Sequence, residues 1–149
     1  MSQPLFVKSS ISIHAPAARV WDTLTNPLQT KKYMFGCEAI SDWKPGSPLT
    51  WKGVFNGVEL VAVKGNVVSI VPGKSLVYTV IDPNNPNIPD IPENYLTVTC
   101  DLTEQGGETL LTVTQGDYSR VADGPARYAD TLKGGWDAIM GQIKAVAES

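Results

Sequence analysis

"TLKGGWDAIMGQI", residues 131–143, has the composition of a helix, although two glycines lie side by side in its middle. Each glycine in a helix interior costs about 1 kcal/mol relative to alanine, so the pair needs a structural reason. On a helical wheel Gly135 lies at the edge of the apolar stripe. It therefore predicts either a close approach of the helix backbone to its neighbour or open space beside Trp136, where a ligand cavity would begin. Gly134 lies roughly opposite, facing water, and is expected only to loosen or bend the helix.

The helix around this stretch is predicted to run from Pro125 to about Ala147. Its apolar residues recur at helical spacing and its charged residues lie on the other sides, so one face is expected to be buried. The residues of that face are Tyr128, Leu132, Trp136, Ile139, Ile143 and Val146.

The beginning of the chain has the pattern of one strand followed by two short helices. Apolar residues alternate at period two over residues 5–14, as in a half-buried strand. "APAARVWDTLTNP", residues 15–27, has a proline suited to a first helical turn and an Asn-Pro step that interrupts the helix. "LQTKKYMF", residues 28–35, is expected to add one or two further turns.

Residues 36–81 change to strands separated by turns, in the runs "CEAISDW", "PLTWKGVF", "VELVAVKGNVVSIV" and "SLVYTVI". Asn56-Gly57 predicts a hairpin, because a type I′ turn needs positive φ at both central residues. A second hairpin is predicted from strands near residues 95–104 and 108–116, around Gly106-Gly107.

This order predicts an α+β fold in which a curved antiparallel sheet of six or so strands wraps around a long C-terminal helix. Two short helices follow the first strand. No linker or repeat interrupts the pattern, so residues 1–149 are expected to form one domain. The space between sheet and helix either fills with large side chains or stays hollow.

Composition and motifs exclude several classes of protein. The net charge is -3 and the basic residues are scattered, so nucleic acid is not expected as a partner. The chain has no leader-like start and no run of eighteen apolar residues, which predicts a cytoplasmic protein without a membrane span. Cys37 and Cys100 are isolated and are interpreted as small, reduced packing residues.

The single histidine, His14, restricts the possible chemistry. One histidine cannot form a multi-histidine metal site, and alternation places this one on the surface beside a helix start. With a single histidine, no metal site is expected. No nucleotide or dinucleotide motif occurs, so no cofactor is expected either.

The candidate site is a cavity with aromatic walls. Trp51, Tyr78 and Trp136 are the predicted walls, and the Tyr78 hydroxyl suits either orienting a carbonyl ligand or donating a proton, unless it is an ordinary core tyrosine. If Glu59 points inward, desolvation would raise its pKa and make it an acid–base candidate; the alternative is a solvated carboxylate. The candidate ligand-binding residues are Trp51, Tyr78, Tyr33, Glu59, Tyr118, Gly135 and Trp136. No catalytic residue is assigned.

Four stretches resemble a known family: "IHAPAARVWDTLTNPLQTKKYM", "VPGKSLVYTV", "LTVTCDLTEQGGETLLTVTQGDY" and "GGWDAIMGQIKAVAE". They are similar to helix-grip domains (START-like, Bet v 1-like, SRPBCC), specifically to the group of the C-terminal domain of the activator of Hsp90 ATPase. The resemblance covers nearly the whole chain and implies a fold that hosts lipid carriers, hormone receptors and polyketide cyclases. One departure is Tyr33, where the family usually has tryptophan after the first helix.

A second departure is the long proline-rich connection "DPNNPNIPDIPENY", residues 82–95. Its prolines repeat every three residues, as in a polyproline II ridge. The connection is either a plain solvent-exposed loop or a segment whose Ile88 and Ile91 form a rim over the cavity mouth or a contact patch for a partner.

Three functions remain open. The first is a module that binds a small apolar or aromatic molecule between sheet and helix. The second is a cyclase-type or hydrolyase-type enzyme in which Tyr78, or Glu59 if buried, moves protons. The third, implied by the resemblance, is a co-chaperone that acts on Hsp90. The expected partner is a small hydrophobic ligand, and the sequence is compatible with a monomer or a homodimer.

Overall fold

The computed structural model describes residues 3–133 and 135–149. Its strands and helices follow one another as β1 Val7–Ile13, α1 Ala17–Thr25, α2 Pro27–Tyr33, β2 Glu38–Ser41, β3 Pro48–Phe55, β4 Val58–Val71, β5 Ser75–Val80, β6 Leu96–Gln105, β7 Glu108–Gly116, α3 Gly124–Leu132 and α4 Gly135–Glu148. The predicted α+β order, with two short helices after the first strand, is confirmed.

The seven strands form one antiparallel sheet in the order β1-β7-β6-β5-β4-β3-β2. Strands β2 to β7 follow one another as a meander, and β1 pairs with β7 at the far edge. Asn56 and Gly57 have φ values of 52° and 79°, which confirms the predicted turn between β3 and β4. The sheet therefore follows the hairpin signals of the sequence.

One irregularity in the β3–β4 pairing changes which side chains face inward. Trp51 is opposite Val63, but the next residue of β3, Lys52, is opposite Val61, so Ala62 is an extra residue. Such a bulge breaks the period-two alternation of the strand. Strict alternation would place Val63 on the face of Glu59; instead Val63 lies on the inner face with Trp51.

The predicted C-terminal helix against the sheet is confirmed, but its predicted extent from Pro125 to about Ala147 is wrong, because the structure has two helices there. Helix α3 ends at Leu132 and α4 begins at Gly135. Two adjacent glycines favour such an end, since glycine is a poor helix former. Leu132, at the end of α3, is 54% exposed and does not belong to the buried face, contrary to the prediction. The prediction for Gly134 lies outside the described residues.

Helix α4 divides into a packed half and an open half. The packed half contains Met140, Ile143 and Ala147, all buried against β1 and the two short helices. In the first half, Trp136 and Ile139 are only partly buried. The core is therefore tight under the C-terminal half of α4 and loose under its N-terminal half.

Both cysteines are buried and unpaired, as expected of packing residues. Within residues 3–133 and 135–149, no helix has both the length and the apolar character needed to cross a bilayer.

Candidate functional site

A cavity of about 530 Å³ lies between the N-terminal half of α4 and the inner face of the sheet. This volume is within the range of roughly 300–1,000 Å³ that is typical of small-molecule sites. The sheet side is formed by side chains of five consecutive strands, which include Trp51, Phe55, Ala62, Val63, Tyr78 and Val98. The helix side is formed by Thr131, Gly135, Trp136 and Ile139. The predicted space between sheet and helix is therefore hollow.

Gly135 lies beside open space. A Cβ atom built on it would meet only the Cγ2 of Thr131, at 3.5 Å, which is an ordinary contact. The interpretation that the helix backbone approaches a neighbour closely here is therefore wrong. The alternative, open space beside Trp136, agrees with the structure.

Trp51 and Tyr78 form the floor of the cavity. Their ring centroids are 6.3 Å apart with the planes tilted by 45°, and each residue is nearly buried. Tilted aromatic pairs at this separation are favourable. The floor is therefore a packed aromatic surface.

Phe35 marks the mouth. It follows α2, lines the cavity and is nevertheless 75% exposed, so the cavity opens to solvent beside it. Its φ of 54° is unusual for an aromatic residue. No period or motif predicted this residue, because it lies in the irregular segment between α2 and β2.

The lining of the cavity has few polar groups. Among the lining residues that the structure describes, none carries a carboxylate, imidazole, ammonium or guanidinium group. Burial, with smaller effects of Cys100 and Tyr33, raises the pKa of Tyr78 well above its ordinary value, so the phenol stays neutral. Burial likewise raises the pKa of the Cys37 thiol.

Gln115 connects the two walls. The indole Nε1 of Trp136 donates a hydrogen bond to Gln115 Oε1 over 2.5 Å, which joins α4 to β7 across the cavity. Gln115 was not among the predicted site residues. A signal was present, since Leu111 and Val113 are buried on β7 and the period of two places Gln115 on the same face.

Glu59 is not in the cavity, so the inward orientation is wrong. Its side chain is 64% exposed, and its Oε1 lies 2.7 Å from Lys52 Nζ on the outer face of the sheet. The bulge at Ala62 explains the difference, because it reverses the alternation between Glu59 and Val63.

Two predicted tyrosines lie outside the main cavity. Tyr33 is buried in the core, where its hydroxyl donates to the carbonyl of Thr23 over 2.9 Å. Tyr118 is buried in a second cluster, with its ring centroid 5.8 Å from that of Tyr128. Its hydroxyl lies 3.2 Å from Thr131 Oγ1. Tyr118 therefore packs behind the helix side of the cavity and is not among the described residues that line it.

The proline-rich segment is a series of turns and not a polyproline II ridge. Polyproline II has no internal hydrogen bonds, whereas here the N–H of Ile88 donates to the carbonyl of Asn85 over 3.2 Å. Ile88 is buried and Ile91 is 45% exposed, and neither is among the described residues that line the cavity. The expected rim is therefore not formed by these two residues.

His14 lies on the surface, as expected. Its Nδ1 is 2.6 Å from Glu108 Oε1, and the histidine side chain is 66% exposed.

Comparison with known families and structures extends these observations. The family model described as "Activator of Hsp90 ATPase homolog 1-like protein" matches residues 14–148. No curated protein matches the chain.

Several solved structures share the fold. A solution structure of a Cytophaga hutchinsonii protein is 30% identical, with a TM-score of 0.76 over 97% of this chain and 94% of that one. An HSP90 activator from Plasmodium falciparum is 16% identical, with a TM-score of 0.68 over 95% of each chain. The Aha1 dimer from Colwellia psychrerythraea is 17% identical, with a TM-score of 0.70 over 96% of each chain.

Proposed function

The chain belongs to the Activator of Hsp90 ATPase homolog 1-like family, and we propose that it binds a small apolar or aromatic molecule in the cavity between its sheet and α4. The observation that carries this proposal is the lining: about 530 Å³ of space lined mostly by aromatic and aliphatic side chains, with no charged group among the lining residues that the structure describes.

The physical basis is the transfer of apolar surface out of water. A ligand that buries about 200 Å² of apolar surface gains about 5 kcal/mol, before the cost of association. A charged ligand would lose its hydration without meeting a counter-charge, which is expensive. The occupant is therefore neutral.

An enzymatic role has less support. Acid–base catalysis needs groups whose protonation can change near neutral pH. Tyr78 is held neutral by burial, and Glu59 lies on the opposite face of the sheet, paired with Lys52. The cyclase-type alternative would thus depend on Tyr78 as a hydrogen-bond donor alone.

Titration with N-phenyl-1-naphthylamine tests binding, because this neutral probe becomes fluorescent in apolar surroundings. Ala62→Phe fills the cavity from the sheet side, whereas Val54→Phe adds the same ring at a residue 65% exposed on the outer face. We expect saturable binding at one site, weakened at least tenfold by Ala62→Phe and unchanged by Val54→Phe. No saturable binding to the wild-type protein, or equal binding to both variants, contradicts the proposal.

A chaperone partner is the second candidate. Its support is the family description together with the fold shared with an HSP90 activator. The test is the steady-state ATPase rate of Hsp90 from the same host with increasing amounts of this protein. A saturable rise in rate supports the partner, and an unchanged rate removes it.

A further inference from the structure

We propose that the ligand of this cavity carries a hydrogen-bond acceptor, such as a ketone or amide carbonyl. The side-chain NH₂ group of Gln115 and the hydroxyl of Tyr78 donate hydrogen bonds to it. This inference rests on the proposed function and narrows the class of ligand. It makes Gln115 a determinant of specificity.

The two side chains lie on one row across the sheet. Tyr78 of β5 is directly opposite Val98 of β6, and Val98 is directly opposite Gln115 of β7. Since neighbouring strands are about 4.8 Å apart, the Cα atoms of Tyr78 and Gln115 are about 10 Å apart. All three side chains line the cavity, so the polar groups of Tyr78 and Gln115 lie on either side of the apolar Val98.

The bond to Trp136 orients the Gln115 amide. An indole N–H can only donate, so the amide oxygen must face it. The NH₂ group of Gln115 is then the end that remains for a ligand. Within residues 3–133 and 135–149, no acceptor is bonded to that NH₂ group or to the Tyr78 hydroxyl.

The other polar groups of the lining either donate a hydrogen bond within the protein already or are weak donors. The hydroxyl of Thr131 donates to the carbonyl of Arg127 over 2.9 Å, within α3. The thiol of Cys37 is a weak donor. The cavity therefore presents N–H and O–H groups at Gln115 and Tyr78.

A ligand without an acceptor would leave both donors buried and unpaired, which is unfavourable. A ligand with a carbonyl satisfies them and is selected over a hydrocarbon of the same shape. A ligand that lacks the matching hydrogen-bonding group is rejected more strongly than one that differs only by a methylene group.

The experiment compares two probes of nearly equal shape by calorimetry: 2-acetylnaphthalene, a ketone, and 2-isopropenylnaphthalene, in which a methylene group replaces the oxygen. The preference is the dissociation constant of the hydrocarbon divided by that of the ketone. Gln115→Glu at pH 8 keeps an acceptor for the Trp136 N–H and removes the NH₂ donor. Tyr78→Phe removes only a hydroxyl, and so serves as an independent variant with small risk to folding.

Matched controls make the same chemical changes outside the cavity. Gln105→Glu lies at the exposed end of β6, and Tyr95→Phe removes a hydroxyl that bonds to Asp90 on the surface. We expect the preference to fall about tenfold in Gln115→Glu and several-fold in Tyr78→Phe, and to stay at the wild-type value in both controls.

Two results would overturn the inference in distinguishable ways. If both probes bind but the preference is equal in the wild-type protein and the cavity variants, the acceptor inference fails while the binding function stands. If neither probe binds the wild-type protein, the proposed function fails and this inference fails with it.

Discussion

The indole N–H of Trp136 and the amide oxygen of Gln115, 2.5 Å apart, tie the first turn of α4 to the last residues of β7. This bond crosses the wall of the cavity at the point where the helix is least packed. It holds the helix over the sheet while leaving the space beneath open.

Removing this bond is expected to destabilise the protein modestly. Trp136→Phe keeps an aromatic wall but removes the donor, and Gln115→Met removes the acceptor at similar volume. Each should lower the free energy of unfolding, and the double variant should show a coupling of about 1 kcal/mol. Urea unfolding of the four proteins measures this coupling, and strict additivity would contradict the bond's contribution.

Gly135 should accept alanine. A Cβ there has room beside Thr131, and alanine leaves the unfolded chain less conformational freedom than glycine, so Gly135→Ala should raise the free energy of unfolding by about 0.5 kcal/mol. Probe binding should persist. A loss of stability would mean that the backbone of α4 is closer to its neighbours than the structure shows.

Gly65 should not accept alanine. Its Cβ would lie 1.7 Å from the carbonyl oxygen of Thr79 in the backbone of the neighbouring segment. Gly65→Ala should therefore destabilise the protein by roughly 2 kcal/mol or more, through backbone displacement. The shift in urea midpoint measures it, with Gly135→Ala as the matched substitution in open space.

Glu59→Gln should leave ligand binding unchanged. Its carboxylate pairs with Lys52 on the outer face, where exposed ion pairs contribute little. Titration with N-phenyl-1-naphthylamine and the melting temperature are the two measurements. A marked change in probe affinity would contradict the placement of Glu59 outside the binding site.

The buried cysteine predicts a loss of stability in alkali. Burial, with a smaller effect of Asp101, raises the pKa of Cys100 to about 12, above its ordinary value of 9.0. The folded state thus binds the thiol proton more tightly than the unfolded state. The contribution of Cys100 to the free energy of unfolding is therefore complete below pH 9.0 and is lost between pH 9.0 and about 12. The slope from one such group is at most about 1.4 kcal/mol per pH unit.

Cys100→Ala provides the check. Urea unfolding between pH 8 and 10.5 should show a steeper decline for the wild-type protein than for this variant. Tyr78 and Tyr33, whose pKa values burial also raises, add their decline only above pH 10. Equal slopes between pH 9 and 10 would exclude Cys100 as the source.

Local signals predicted most of the fold. Asn56-Gly57 identified a hairpin because few residue pairs accept positive φ, and the alternation of each strand followed from burial on one face. The same reasoning placed Trp51, Tyr78 and Trp136 at the space between sheet and helix, where the structure has them.

The differences arise where pairing or packing overrides local pattern. The bulge at Ala62 depends on the register with β3, which the sequence of a single strand does not reveal. This bulge is the reason that Glu59 lies on the outer face of the sheet. Helix α3 ends at Leu132, which is exposed although the helical wheel of one continuous helix predicted it to be buried. Phe35 lies in an irregular segment without period, so no pattern could have placed it at the mouth.

The most direct test of the binding function is native mass spectrometry of the protein purified from its own host, followed by extraction of whatever it carries. We predict one neutral small molecule per chain, displaced by N-phenyl-1-naphthylamine and reduced in Ala62→Phe. A protein that carries no such molecule from its host and also fails to bind the neutral probe would contradict the function proposed for the cavity.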